Sequence, residues 1–239
     1  LDLEGADSGG GVKQNIKAGE DVVTRVLEGG GKVVTAVADE GGTVKLWETR
    51  ERLGLGLGEG GLEETGALEV GSRVLTAEWS SNLDGSMDYG LVWLGLSDGR
   101  VCQVSLATMS VVFSLQISSS GVRSLCVSSS PSGSDVVYLG DNKGQMYEVS
   151  KGGAKPITPP HKDAVVGIAK AARDGGVLIS ASRDGSVRVW DNASTGGVVG
   201  KYVIGPMKVW VSGVQVEDNI VVSDGADNMI IKHEFGTGE

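Results

Sequence analysis

An all-β fold is predicted, because one strand unit recurs five times, at a nearly constant spacing, and each time behind a tight hairpin signal. The units are Thr43-Val-Lys-Leu-Trp-Glu48, Arg100-Val-Cys-Gln-Val-Ser105, Gln145-Met-Tyr-Glu-Val-Ser150, Ser186-Val-Arg-Val-Trp-Asp191 and Met229-Ile-Ile-Lys-His-Glu234. Their fifth residues, Trp47, Val104, Val149, Trp190 and His233, lie 57, 45, 41 and 43 residues apart. A period in the low forties is the length of one four-stranded blade of a β-propeller. Five blade-like repeats leave two arrangements, a small ring or part of a larger one.

The elements follow in order within each unit. The runs Val33-Val-Thr-Ala-Val-Ala38, Leu91-Val-Trp-Leu-Gly-Leu96, Val136-Val-Tyr-Leu-Gly140, Val177-Leu-Ile-Ser-Ala-Ser182 and Ile220-Val-Val-Ser223 are rich in β-branched residues and read as strands covered on both faces. The turns after them, Gly41-Gly42, Asp98-Gly99, Lys143-Gly144, Asp184-Gly185 and Asp227-Asn228, contain residues that accept the positive φ of a short hairpin. Four residues before each turn glycine or asparagine stands Ala38, Gly95, Gly140 or Ala181, with Asp224 as the exception, and small side chains there would let neighbouring sheets approach. Innermost strands are placed at Val22–Leu27, Val74–Trp79, Val122–Val127, Val165–Ala169 and Val209–Gly213. Polar outer strands follow, for example at Val111–Ile117 and Gly197–Ile204, as suits blade edges that must not pair with other chains.

At 239 residues the chain suits one large domain that buries roughly three quarters of its unfolded surface. Residues 1–20 form an N-terminal segment, and 21–239 the propeller, with a Gly/Glu-rich insertion at 51–71. The last unit lacks a fourth strand, which Val12–Ala18 could supply to close the ring. With 21 Lys and Arg against 31 Asp and Glu, the net charge of -10 argues against a nucleic-acid surface, which needs clustered cations. No apolar run approaches the roughly 18 residues that cross a bilayer, so a soluble domain without a transmembrane segment is expected. Cys102 and Cys126 are too few and too far apart for a disulfide scaffold or a zinc site. The chain begins at Leu1 without a leader, which reads as a processed or excerpted product; the cytoplasm is the default location, and an organelle after leader removal is the alternative.

The fourth unit carries the most specific pattern. His161-Lys-Asp-Ala-Val-Val-Gly-Ile168 precedes its first strand, Ser180-Ala-Ser182 lies in the second, Asp184 in the turn, and Trp190-Asp191 closes the third. In these residues the chain resembles the WD-repeat family of β-propellers, over roughly residues 21–239, with a second, looser match at Trp47-Glu48. The resemblance implies a buried hydrogen-bonded relay that braces the blade, formed by His161, Ser180 or Ser182, Asp184 and Trp190. The second, third and fifth units lack the tryptophan and the preceding histidine and rest on spacing.

Three motifs resemble chemistry and fail on context. Ala6-Asp-Ser-Gly-Gly10 matches the nucleophile loop of trypsin-like proteases, but both histidines, His161 and His233, follow the serine. Gly95-Leu-Ser-Asp-Gly99 fits a nucleophile elbow, yet Asp98-Gly99 reads as a hairpin with no helix behind it. Gly56-Leu-Gly-Glu-Gly-Gly61 has dinucleotide-binding glycine spacing, but Leu62-Glu-Glu-Thr-Gly66 follows where a helix is needed, and its carboxylates repel phosphate. The stretch from Gly54 to Gly66 is therefore expected to be a loop that leaves the disc, with Glu59, Glu63 and Glu64 as partner contacts. Trp79, Trp93 and Trp210 are assigned to the core, and His233 to packing. No catalytic residue, cofactor or metal is expected, and the polar groups that a ligand site in the central channel would need are not evident. The function expected is a non-catalytic scaffold or docking subunit that binds other proteins within a larger assembly. The alternatives are an organelle-resident subunit of a membrane-associated complex and a small-ligand binder or enzyme that uses the channel.

Overall fold

The computed structural model describes residues 17–18, 21–50, 61–81, 87–129, 135–150, 152–171, 176–192, 197–205, 207, 210–217, 220–225 and 230–234. These residues contain strands and turns and no helix. The first sheet joins β1 (Val23–Gly29), β2 (Lys32–Val37), β3 (Thr43–Arg50) and β4 (Gly61–Glu69); the second joins β5 (Val74–Ser81), β6 (Met87–Leu96), β7 (Arg100–Ser105) and β8 (Ser110–Gln116). The third holds β9 (Val122–Ser129), β10 (Asp135–Asp141), β11 (Met146–Ser150) and β12 (Gly153–Ile157). The fourth holds β13 (Val165–Lys170), β14 (Val177–Ser182), β15 (Val187–Asp191) and β16 (Val199–Ile204). The fifth has three described strands, β17 (Val211–Glu217), β18 (Ile220–Gly225) and β19 (Ile230–Glu234). Within every sheet consecutive strands pair antiparallel, which gives the up-and-down meander of a propeller blade.

Hydrophobic burial occurs between blades. Val34, Ala36, Val44 and Leu46 of the first sheet pack with Ala77, Trp79, Val92 and Leu94 of the second, and Trp93 and Val101 with Val122, Leu125, Leu139 and Val149. Tyr138, Met146 and Ile157 of the third sheet meet Val165, Leu178 and Trp190 of the fourth, and Ile179 and Val189 meet Val211. The second strands β2 and β14 are buried on both faces along most of their length, and each buried Val or Leu there contributes about 1.5–3 kcal/mol relative to exposure. The small-residue positions serve this approach. A Cβ on Gly140 would come within 2.5 Å of Val165 Cβ on the next blade.

One backbone device repeats at the joints. The carbonyl of each turn glycine accepts from the connection to the next blade: Gly42 from Val70, Gly99 from Ile117, Gly144 from His161 and Gly185 from Met207. Gly144 has φ +87°, and a Cβ there would lie 2.4 Å from His161 O, so glycine is required both by the backbone and by space.

Two expectations about elements change. The Gly54–Gly66 loop is shorter than predicted, because Gly61–Glu69 is β4, paired along β3 from Thr43↔Glu69 to Arg50↔Gly61. Its half-buried Gly66 and Leu68 face inward while Glu63, Glu64 and Thr65 are exposed, as an edge strand requires. The rest of that loop, including Glu59, lies outside the described residues, as do the Ala6–Gly10 motif, most of the proposed closing strand and the Asp227-Asn228 turn; Lys17 and Ala18 are described and carry no strand. Trp79 and Trp93 are core residues, but Trp210, which precedes β17, is 52% exposed.

Candidate functional site

The four chain segments that converge at Ser180 are the β12–β13 connection, β14, the β14–β15 turn and β15. His161 is held there by its own N–H, which donates to Gly144 O at 2.9 Å, and its side chain is buried. The Trp190 Nε1–H donates to Ser180 Oγ at 2.9 Å, and Ser180 Oγ lies 2.7 Å from His161 Nε2. With its proton on Nδ1, the imidazole accepts from the serine at Nε2 and donates to Asp184 Oδ2 at 3.2 Å. Asp184 also accepts from the Lys162 N–H (2.9 Å), the Ser186 N–H (2.9 Å) and the Ser186 hydroxyl (2.6 Å). The structure thus brings His161, Ser180, Asp184 and Trp190 into one chain of bonds. Ser182 stays outside it: its hydroxyl donates to Asp163 O at 2.8 Å and accepts from the Asp184 N–H at 3.1 Å, which fixes the turn.

The electrostatics fit a structural relay. Burial and the nearby Arg188 guanidinium push His161 down to about 4, against the pull of Asp184, so the ring is neutral at physiological pH. Burial alone would raise Asp184, but the hydrogen bonds from Ser186 and the Lys162 N–H hold it at about 2. Every polar atom of the relay's imidazole, hydroxyl and indole is engaged, and none is left to act on a substrate.

The other blades vary the scheme. In the first, Trp47 Nε1–H donates to Thr35 Oγ1 at 3.0 Å, the counterpart of the bond from Trp190 to Ser180. In the third, Ser118 takes the histidine's place and donates to the turn carboxylate of Asp141 at 2.8 Å. In the fifth, Ser223 Oγ and His233 Nε2 stand at positions equivalent to Ser180 and Trp190, and both are buried without a partner among the described residues. The second blade is tied from outside. Asp135, at the start of β10, accepts from Ser80 Oγ (2.7 Å), Ser81 N–H (3.1 Å) and Oγ (2.8 Å), Trp93 Nε1 (2.7 Å) and Gln103 Nε2 (3.1 Å). Burial would raise this carboxyl, yet the bonds from Trp93, Ser80 and Ser81 hold it below its ordinary value. Sequence reasoning missed this clamp, because an aspartate that begins a strand looks like any turn residue.

The structure also supplies what the sequence did not show in the channel. Arg25, Leu75, Arg123, Val166, Arg183, Trp210, Val211 and Ser212 line one cavity of about 260 Å3. The lining draws on β1, β5, β9, β13 and β17, so the five inner strands surround a common axis. The acidic residues lie elsewhere: Glu63 and Glu64 are exposed on β4, with Glu64 2.8 Å from Lys45 Nζ. Cys102 and Cys126 are free thiols that burial pushes up to about 12 and about 11. Among the described residues no group of three or more His, Cys, Asp or Glu is arranged to hold a metal ion, and no helix is long and apolar enough to cross a membrane.

A family model described as WD domain, G-beta repeat, matches residues 155–191. The matched stretch starts in β12 and ends with β15, so the repeat joins the outer strand of one blade to three strands of the next and carries the whole relay. No curated protein matches the chain. The matched repeat, set among successive antiparallel sheets of three and four strands, fits a WD-repeat β-propeller.

Proposed function

We propose that the chain is a docking subunit of a multi-protein assembly, which its partners grip at the outer edges of the blades. WD repeats generally mediate protein–protein interaction, and proteins built from them are typically non-enzymatic. The observation that carries the proposal is the outer edge of the fourth blade. There β16 exposes Val199, Tyr202 and Val203, large apolar side chains on a strand edge that is unpaired among the described residues and belongs to the blade that carries the relay. An edge strand with apolar cover is a template for a partner that adds contacts without reshaping the fold.

An acidic edge belongs to the same reading. Glu63 and Glu64 on β4, together with Glu59, would face a partner surface of mixed or basic charge, where such charges set the rate of encounter. A photoreactive phenylalanine analogue placed at Val203 tests the proposal in extracts of the source cells, with Lys155 on the polar outer strand β12 as control. Discrete adducts with another protein at position 203 and none at position 155 support an edge-bound partner. Recovery of only the uncrosslinked chain at both positions overturns it.

A further inference from the structure

The cavity at the end of the inner strands is built by a repeated irregularity. In β5, β9, β13 and β17 the register slips at the second residue, so Leu75, Arg123, Val166 and Ser212 drop out of the ladder, and these four residues line the cavity. A bulge bends the strand and re-aims one side chain. Here the same slip in successive blades turns one side chain per blade toward the axis. Arg25 of β1 and Arg183 of the β14–β15 turn complete a mouth with three guanidinium groups.

These three charges have neutral company. Arg123 Nε donates to Asn142 Oδ1 at 2.7 Å, Arg25 Nη1 contacts Thr24 O at 3.3 Å, and Arg183 lies over the Trp210 ring at 5.4 Å. Among the described residues, no carboxylate oxygen lies within ion-pairing distance of any of the three. Glu78 on β5 is close enough to feel Arg25, which offsets part of the upward push that burial gives its carboxyl. Burial and the like charge of Arg183 lower Arg123. A chain of net charge -10 has carboxylates to spare, yet three cations gather at this one cavity, and none of them is ion-paired to a carboxylate among the described residues.

We propose that this channel mouth binds a compact soluble organic or inorganic phosphate, with Arg25, Arg123 and Arg183 clamping its oxygens. Guanidinium groups pair with carboxylate and phosphate alike, but a planar carboxylate offers two oxygens in one plane, whereas a terminal phosphoryl group offers three in three directions. Three arginines drawn from different blades around one axis match the second shape. The volume of about 260 Å3 falls just below the range of small-molecule sites, which run from about 300 to 1,000 Å3, so the ligand is compact. The site shares no residue with the blade edges and stands or falls apart from the docking role.

The test is isothermal titration calorimetry of the 239-residue chain with inorganic pyrophosphate at low ionic strength, with a phosphoserine peptide as a second titrant. Pyrophosphate should bind one site per chain. Arg123→Gln and Arg183→Gln should each weaken it at least about tenfold, as expected for the loss of one charge-assisted clamp, with melting unchanged. The parent's affinity should fall steeply with added salt. Because Trp210 touches Arg183, binding should also change tryptophan fluorescence, and Trp210→Phe should abolish that signal while calorimetric binding remains. Equal pyrophosphate affinity in the parent and in the Arg123→Gln, Arg183→Gln double variant overturns the proposal, as does an absence of binding heat in the parent at several temperatures. Arginine-dependent binding of the peptide without binding of pyrophosphate also overturns it and assigns the mouth to a modified protein partner.

Discussion

The fourth and second blades solve one packing problem with opposite chemistry. In the fourth, a neutral imidazole links the closing tryptophan to the turn aspartate, and every partner belongs to that blade or to the connection that enters it. In the second, the tryptophan sits on the second strand, as Trp93, and its N–H is taken by Asp135 of the third blade. The first arrangement stiffens a blade, and the second fastens two blades together. A blade that has lost the repeat's signature residues is not thereby unbraced, because its buried donors must still be satisfied, here by a carboxylate from the neighbour.

The largest separation between the two should appear on removal of the closing ring. Trp190→Ala is expected to destabilise the chain by about 3–5 kcal/mol, since it empties a fully buried site and orphans Ser180, and urea unfolding would measure it. Asp135→Ala should cost about 2–3 kcal/mol, because Trp93 Nε1, Ser80 Oγ and Gln103 Nε2 lose their acceptor together. Hydrogen exchange should then rise in both β6 and β10, whereas Trp190→Ala should raise it first in β14 and β15. Exchange confined to β6 alone would show that Asp135 does not fasten the blades.

His161→Ala should cost less, about 1–3 kcal/mol for a buried hydrogen-bonded group, and it should also change the response to pH. His161 has a folded value of about 4, below its ordinary 6.5, so the unfolded chain takes up the proton first as pH falls. The contribution is complete above about 6.5 and is lost between there and about 4, to a limit of about 3 kcal/mol. Asp184, held at about 2 against an ordinary 3.8, takes over below, its contribution being lost as pH falls from about 4 to about 2. Parallel stability profiles for His161→Ala and the parent between pH 6.5 and 4 would show that the ring is not held neutral. The smallest effect is expected at the acidic edge. Replacing Glu63 and Glu64 by Gln should leave melting nearly unchanged, since exposed charges contribute about 0–1 kcal/mol, and should slow partner association at low salt.

The blades were legible because their signals are local: a hairpin glycine, an alternating strand and a small residue at a set distance from the turn. The fourth-blade relay was legible through the family resemblance, since His161, Ser180, Asp184 and Trp190 stand at its spacing. What stayed hidden depends on contacts between units. The partners of Asp135 lie up to 55 residues away, and periodicity cannot pair them. The acidic run in β4 broke the alternation that marks a strand, because both faces of an edge strand tolerate charge. The arginines of the channel mouth lie far apart in sequence, one on a bulge, one paired in the ladder of β1 and one in a turn, and they converge only because their blades share an axis, which no local pattern announces. Trp210 looked like core for a related reason: nothing nearby in the chain says that it stands at the rim of a cavity.

The neutral relay is tested most directly by proton–nitrogen NMR of the two imidazole rings through an acid titration, with His161→Gln to assign the signals. The His161 ring is expected to carry its proton on Nδ1 and to stay neutral until the pH approaches about 4. A His161 ring that is protonated on Nε2, or that titrates near 6.5 in the folded protein, would contradict the relay and with it the bracing of the fourth blade.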